Sequence, residues 1–298
     1  VTSRIASHHT GTQRKVCATS EERGSPSFAV ESGPPGTRFA EIRVFEELDS
    51  TNRYLVDEAR SGAPEGLVAV AAYQREGRGR LGRRWEAPPG TNLLVSVLFR
   101  QLLPLEELHL LTVVAALAAA DACIEVAEVH PHLEWPNDLY VGGRKLAGIL
   151  AESVPGDYAH GDGRAVVVGV GLNVKWPPPD AEANHAPVPE ELEGMATSLW
   201  REIPQGTNPS RLEPRVVLEV LLAALEHRAE DLSHGDGRRR QAAEYRRRCS
   251  TVGKRVRVSL GESVLEGVAV DISAEGHLVL DDGGGFRTVT AGDVVHVD

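Results

Sequence analysis

Cysteine is scarce. Only Cys17, Cys123 and Cys249 occur in 298 residues, far apart and with no C-x-x-C pair. An odd, sparse set excludes a disulfide framework and fits a reducing compartment. Basic charge is also in deficit: Lys and Arg number 32 against 43 Asp and Glu, a formal net charge of -11. A general nucleic-acid coat is usually basic, so that class falls behind. Any anionic ligand must then be met by a local cluster of Arg, Lys or backbone N–H groups. Long apolar runs are missing as well. The longest, near Leu110 to Ala120, is bounded by His109 and Asp121. It falls short of the ~20 residues of a membrane span and reads as a core helix. The start has no apolar stretch of about 7–15 residues, as a secretory signal would. The segment to Val16 is basic, Ser/Thr-rich and acid-free like a transit peptide, but it has no apolar helical face. A cytoplasmic protein without membrane contact is expected.

Several catalytic signatures are absent too: a Walker A loop, H-E-x-x-H and the G-x-S-x-G elbow. A formal G-x-G-x-x-G stands at Gly77, Gly79 and Gly82. The dinucleotide fingerprint needs a helix directly after it and an acid ~20 residues on. Here the loop runs into Pro88-Pro89-Gly90, and residues 97–103 carry no acid. The fingerprint is rejected.

What is present is a globular composition, 41% hydrophobic and 25% charged, with length for about two domains. Residues 1–38 mix Ser, Thr, Gly, Pro and His without period and read as a disordered lead, too short for a helix-turn-helix module. Residues 39–250 alternate strands and helices. A strand near Phe39 to Val44 precedes Asp49-Ser50-Thr51, which offers helix N-cap chemistry. Strands are expected at 67–73 and 93–99, a buried helix at 105–128, a hairpin around Gly142-Gly143, and a strand at 165–174. Helices are expected at 190–201, 214–232 and 238–248. Residues 251–298 carry short alternating Val/Ile/Leu runs broken by Gly and Asp, the pattern of a small all-β barrel. The fold class is α+β, a mixed sheet with a C-terminal barrel.

Three segments carry chemistry. The first is Gln74 to Trp85, with five arginines, four of them (Arg78, Arg80, Arg83 and Arg84) set among glycines, in an acidic protein. Planar, permanently charged guanidinium groups suit phosphate and carboxylate, and glycines let backbone close on an anion. The alternative is a solvated basic turn. The second is Trp135-Pro136-Asn137-Asp138 with Lys145 to Glu152. Asn137 and Asp138 suit phosphates or Mg²⁺, which prefers few carboxylates plus substrate oxygens; the alternative is an Asx-turn. Lys145 opens an otherwise apolar strand, either to steady developing negative charge or as a solvated lysine. The third is Val166 to Val174, where Gly169 and Gly171 mark close approach by backbone or ligand, and Asn173 could meet a base edge. The runs Arg238-Arg239-Arg240 and Arg246-Arg247-Arg248 read as a solvated helix side or a contact for an acidic surface. His130 and His132 read as a turn rather than a zinc hook.

Ser50-Thr51-Asn52, Gly77-Arg78-Gly79-Arg80, Trp135-Pro136-Asn137-Asp138, Lys145-Leu146-Ala147-Gly148-Ile149-Leu150 and Gly169-x-Gly171-x-Asn173 follow one another in order. Together, and with the barrel tail, they resemble the biotin–protein ligase family (biotin–[acetyl-CoA carboxylase] ligase) from about Phe39 onward. The resemblance implies the catalytic sheet of the biotin/lipoate ligase type and an SH3-like barrel. It implies activation of biotin by ATP, with Mg²⁺, to biotinyl-5′-AMP, then transfer to a lysine of a biotin carboxyl carrier domain. It places biotin on Ser50, Thr51, Asn52, Gln74, Arg78, Gly79, Arg80 and Lys145. It places ATP on Arg78, Trp85, Asn137, Asp138 and Asn173, makes Lys145 and Arg80 catalytic, and gives Asp138 to the metal. Family members often carry a basic residue before Trp-Pro-Asn-Asp, where this chain has Glu134; the departure is expected to weaken a phosphate contact or alter the surface that meets the carrier. Members that repress transcription carry a winged-helix module. With so short a lead, an enzyme without DNA-binding activity, monomeric or weakly dimeric, is expected. Lipoate or octanoate transfer and a non-catalytic biotin sensor are the alternatives.

Overall fold

The computed structural model of the chain describes residues 26–101, 103–154, 164–179, 186–207, 209, 212–260, 263–290 and 292–297. The larger unit is an eight-stranded sheet ordered β1-β2-β3-β4-β8-β7-β6-β5. Its strands are β1 (Ala29–Ser32), β2 (Glu41–Leu48), β3 (Val68–Gln74), β4 (Leu93–Gln101), β5 (His132–Glu134), β6 (Asp138–Val141), β7 (Arg144–Ser153) and β8 (Arg164–Leu172). The β2–β3 pair is parallel, joined through helix α1 (Thr51–Arg60), and the other pairings are antiparallel. The sheet is therefore mixed, as the alternation of strands and helices predicts.

The expected disorder through residue 38 is corrected. β1 lies within that lead and pairs with β2 in the register Ala29↔Val44 to Ser32↔Glu41. Residues 1–25 of the lead lie outside the described residues.

Strands β4 and β8 run side by side at the centre, Leu93 opposite Leu172 and Phe99 opposite Val166. Side chains alternate between faces along a strand, so each face builds its own core. One face, with Val97, Phe99, Val166 and Val168, packs in a cluster with helix α2 (Leu110–Ala127) and helix α4 (Pro214–Asp231). α2 is long and apolar enough to cross a membrane, but most of it is buried within the fold. Its Ala-rich sequence has no polar stripe because it is covered all round. On the opposite face Leu98, Val167 and Ala165 pack with Phe45, Leu55 and Ala59 under α1.

The helix expected at 190–201 is corrected as well. Only a 3₁₀ turn at Glu190–Leu192 and the four-residue α3 (Leu199–Glu202) form. Between them the backbone is taken up by β7: Lys145 N donates to Met195 O at 2.8 Å, and Thr197 N donates to Lys145 O at 2.9 Å.

Helix α5 (Gly235–Arg248) leads into a five-stranded antiparallel sheet ordered β12-β11-β10-β9-β13. Its strands are β9 (Arg255–Leu260), β10 (Ser263–Ile272), β11 (Leu278–Asp281), β12 (Phe286–Val289) and β13 (Asp293–His296). It docks beside the Trp135 corner. Trp135 N donates to Thr251 Oγ1 at 3.0 Å and its indole N–H to Gly276 O at 3.3 Å, while the rings of His109 and His277 stack 4.3 Å apart.

Candidate functional site

On the α1 face of the sheet the residues shrink toward one end. Leu98 and Val167 give way to Ser96 and Gly169, which pair, and then to Gly171 and Gly148, which also pair. Only the first turn of α1 reaches Ser96 and Gly169, through Thr51 and Asn52, and the missing side chains beyond it leave a hollow. The result is a cavity of about 960 Å³ bounded by α1's first turn, the Gly/Arg loop, the Trp135–Asp138 turn and the C-terminal sheet.

The floor is neutral, buried and hydrogen-bonded. Thr51 donates its backbone N–H at 2.8 Å and its hydroxyl at 3.0 Å to Gln74 Oε1. Ser96 Oγ lies 2.7 Å from Thr51 Oγ1 and 2.6 Å from Asn52 Oδ1. A Cβ at Gly169 would fall 2.1 Å from Asn52 Oδ1, so only glycine fits there. The expected cap is corrected: Ser50 holds the N-cap position in an extended conformation without a side-chain cap bond, its hydroxyl is left among the cavity-lining groups, and the N–H of Thr51, the first helical residue, is met by Gln74.

The rim is charged. The loop from Gly77 closes on itself through Trp85 N to Gly77 O at 3.0 Å and Gly79 N to Arg83 O at 2.8 Å. A Cβ at Gly77 would meet Trp85 O at 2.2 Å, which explains that glycine. Arg78 pairs with Glu152 at 2.9 Å. Arg80 reaches both units, donating to Asn137 Oδ1 at 3.2 Å and to Gly292 O at 3.1 Å, and Arg83 pairs with Asp293. Burial lowers the pKa of Arg80, opposed by the charges of Asp138 and Asp293. Guanidinium titrates so high that Arg80 stays a cation throughout.

Lys145 Nζ sits 2.6 Å from Asp138 Oδ2 and 5.8 Å from the Trp85 ring centroid. Asp138 Oδ1 and Trp85 Nε1 are buried in the cavity wall without a hydrogen-bond partner. One is an acceptor and the other a donor, and buried polar groups of this kind cost free energy until a ligand or water meets them. Trp85 lies flat on the glycine floor, since a Cβ at Gly171 would come within 2.6 Å of its ring.

Residues 44–173 match the biotin/lipoate A/B protein ligase family, and residues 251–297 match the biotin protein ligase C-terminal domain. A biotin--[acetyl-CoA-carboxylase] ligase of Mycobacterium tuberculosis is 36% identical over 269 residues, which covers 88% of this chain and 91% of that protein. The chain belongs to the biotin/lipoate protein ligase family. A bifunctional ligase/repressor of Bacillus subtilis is 30% identical over 83% of this chain and 71% of its own length. Among solved structures, the Aquifex aeolicus biotin protein ligase in complex with biotin and ATP superposes with a TM-score of 0.65 at 26% identity, covering 86% of this chain and 98% of that one.

The blocks that this ligase family shares converge on the one cavity: Ser50, Thr51, Asn52, Gln74, Arg78, Gly79, Arg80, Trp85, Asn137, Asp138, Lys145 and Asn173 all line it. Three of them differ from expectation in detail. Asn173 does not offer a free amide to a base edge: it donates to Thr197 O at 2.9 Å and accepts from Asn92 at 2.9 Å. Asn137 likewise donates to Ile149 O at 2.8 Å, so its carbonyl oxygen is what faces Arg80. Asp138 opens β6 rather than lying wholly in a loop.

Sequence reasoning missed Ser96, Asn92, Glu152 and the barrel residues Lys254, Asp293 and His296. A lone serine in Leu93-Leu94-Val95-Ser96-Val97-Leu98 was the available signal for the first. Nothing in the sequence pointed to the barrel residues. Glu134 lies 3.8 Å from His296 Nε2. Burial raises its carboxyl pKa, opposed by the charge of Lys254.

The arginine runs of α5 are ion-paired within the fold: Arg238 with Glu107, Arg239 with Asp236, Arg240 with Asp231, Arg246 with Asp271, Arg247 with Glu244 and Arg248 with Asp121. No cluster of three His, Cys, Asp or Glu suited to a metal occurs among the described residues.

Proposed function

We infer that this chain is an ATP-dependent biotin–protein ligase that forms biotinyl-5′-AMP and transfers biotin to a lysine of a carboxylase carrier domain. The observation that carries this reading is an uncharged, hydrogen-bonded floor and a rim bearing Arg78, Arg80 and Lys145 in one cavity, on a chain that pairs the ligase domain with the biotin ligase C-terminal domain. The two ends fit a ligand with an uncharged polar head and an anionic tail.

Two anions must meet. A carboxylate oxygen of biotin attacks the α-phosphorus of ATP, a P–O bond forms, and the α–β bond breaks to release pyrophosphate. Lys145 and Arg80 place fixed positive charge where both anions lie and where charge builds in the transition state. Lys145 rests on Asp138 at 2.6 Å, which fixes its ammonium in the cavity wall. In the second step the carrier amine attacks the acyl carbon, AMP leaves, and an amide forms with loss of a proton. The loop over the cavity shields the mixed anhydride from water in between.

Ser50, Thr51, Asn52 and Gln74 take the head of biotin, with Ser96 behind them. Arg78 and Gly79 cover its tail, and Trp85 offers a ring face and an unmet N–H to the nucleotide. The unpartnered Oδ1 of Asp138 fits Mg²⁺, which needs one or two carboxylates beside substrate phosphates and water. There it would draw negative charge off the phosphates. The ion-paired state of the α5 arginines supports an enzyme that does not itself hold DNA, and the buried free thiols of Cys123 and Cys249 fit a reducing cytoplasm.

The test is ATP–pyrophosphate exchange with biotin, lipoate or octanoate, with mass detection of the adenylate. Exchange with biotin alone is the expected result. Exchange with lipoate or octanoate instead overturns the substrate, and intact biotin binding without exchange makes the protein a sensor.

A further inference from the structure

One acid set into this site has no role in the chemistry above. Glu152 lies on β7 two residues beyond Leu150 and four beyond Gly148, so alternation puts it on the cavity face. Its two carboxylate oxygens serve different parts of the wall. Oε2 accepts from Asn52 Nδ2 at 2.8 Å, and Oε1 meets Arg78 Nη1 at 2.9 Å. Asn52 is itself held fast. Its amide also donates to Leu150 O at 3.2 Å, its carbonyl oxygen meets Ser96, and Gly169 leaves it no further space.

The Arg78 side chain, by contrast, is 45% exposed. Glu152 therefore stands where a fixed floor ends and a half-exposed flap begins. An ion pair between two free surface side chains gains little, because both must be ordered to form it. Here one partner is already ordered by a buried amide, so the cost of fixing Arg78 is smaller.

We propose that Glu152 is a positioning residue that ties the first arginine of the flap to the cavity floor. Arg78 is thereby held over the tail end of the acyl substrate before that substrate arrives. This inference rests on the ligase reading. Its consequence is retention: a flap tethered at Arg78 slows escape of the acyl-adenylate and entry of water.

Glu152→Gln separates this tether from a packing role. It keeps shape and the acceptor for Asn52 but removes the charge that Arg78 meets. The measurements are biotin KM, kcat of pyrophosphate exchange and the rate of acyl-adenylate release. They are made on the full chain for wild type, Glu152→Gln, Arg78→Ala and the double variant, with thermal melts alongside. In Glu152→Gln, release is expected to rise about threefold to fivefold, with biotin KM rising more than kcat falls. The double variant is expected to release adenylate no faster than Arg78→Ala alone. Wild-type release and KM in a folded Glu152→Gln overturn the proposal, and so do effects of the two substitutions that multiply. A wild-type protein that makes no adenylate from biotin and ATP sinks the ligase reading itself, a failure distinct from either of these. Should Glu152→Gln melt early, Arg78→Gln tests the same tether from the flap side, with the same release phenotype expected and unchanged release overturning it.

Discussion

The floor and the rim of the cavity are built on opposite principles. The floor is built of uncharged polar side chains, Ser96, Thr51 and Asn52 buried and Gln74 half-buried, that bond to one another. The rim is cationic and partly solvated, and its pairs cross from one unit to the other, as Arg80 to Gly292 and Arg83 to Asp293 do. A neutral polar head is recognised by groups that leave none of its hydrogen bonds unmet, and misplacing one costs specificity. An anionic tail is met instead by charge, which acts at longer range and can be carried on a loop that opens.

Substitutions at the two ends should therefore fail differently. The largest effect is expected at the rim: Lys145→Ala should lower the rate of adenylate formation by about 10²–10³-fold, with biotin Kd changed little, as pre-steady-state assays and calorimetry would read. Loss of biotin affinity with an intact rate would reverse the division of labour. At the floor, Asn52→Ala should show the converse. Leaving buried partners of this network unmet costs about 1–3 kcal/mol, seen as a biotin KM raised by roughly 5- to 150-fold with kcat at saturation better preserved.

Arg80→Ala removes the link between the rim and the C-terminal sheet. It should raise escape of biotinyl-AMP by about tenfold, the scale of one charged hydrogen bond, visible as biotin on bystander lysines. Tightly held product would show that Arg80 does not close the cavity. The smallest effect concerns pH. Burial raises the carboxyl pKa of Glu134 from its ordinary value of 4.5, so the native state holds that proton more tightly than the unfolded chain. Its contribution to stability therefore falls as pH rises through the window between 4.5 and the raised value. Glu134→Gln should raise Tm by about 1–3 °C at pH 7 and by less at pH 4, in melts at both values. An equal gain at both would show that the charge is not the cause.

Much of this was legible in the sequence. The apolar runs of β3, β4 and β8, the all-round apolar α2 and the alternating C-terminal strands follow from periodicity, because burial on one face, or on all, writes itself into residue order. The charged rim was legible too, since arginine packed among glycines stands out in an acidic chain. β1 was not. It sits among Ser, Gly and Pro, and forms because β2 offers an edge to pair with. The 190–201 segment carries acidic and apolar residues that suit a helix, but the backbone of Lys145 takes its N–H and C=O groups first. Ser50 has the chemistry and the position of a cap but makes no side-chain cap bond, and the N–H of Thr51 is met by Gln74, distant in sequence.

Residue order alone settled most of the local pieces, β1 and the 190–201 segment excepted, and which chemical types this protein brings to a ligand, because period, turn residues and charge are local properties. Tertiary structure decided which neutral groups become the floor, that Glu152 reaches both Asn52 and Arg78, and that the C-terminal sheet completes the rim. Those contacts join residues up to 212 positions apart, and no local pattern encodes a partner that only packing brings near.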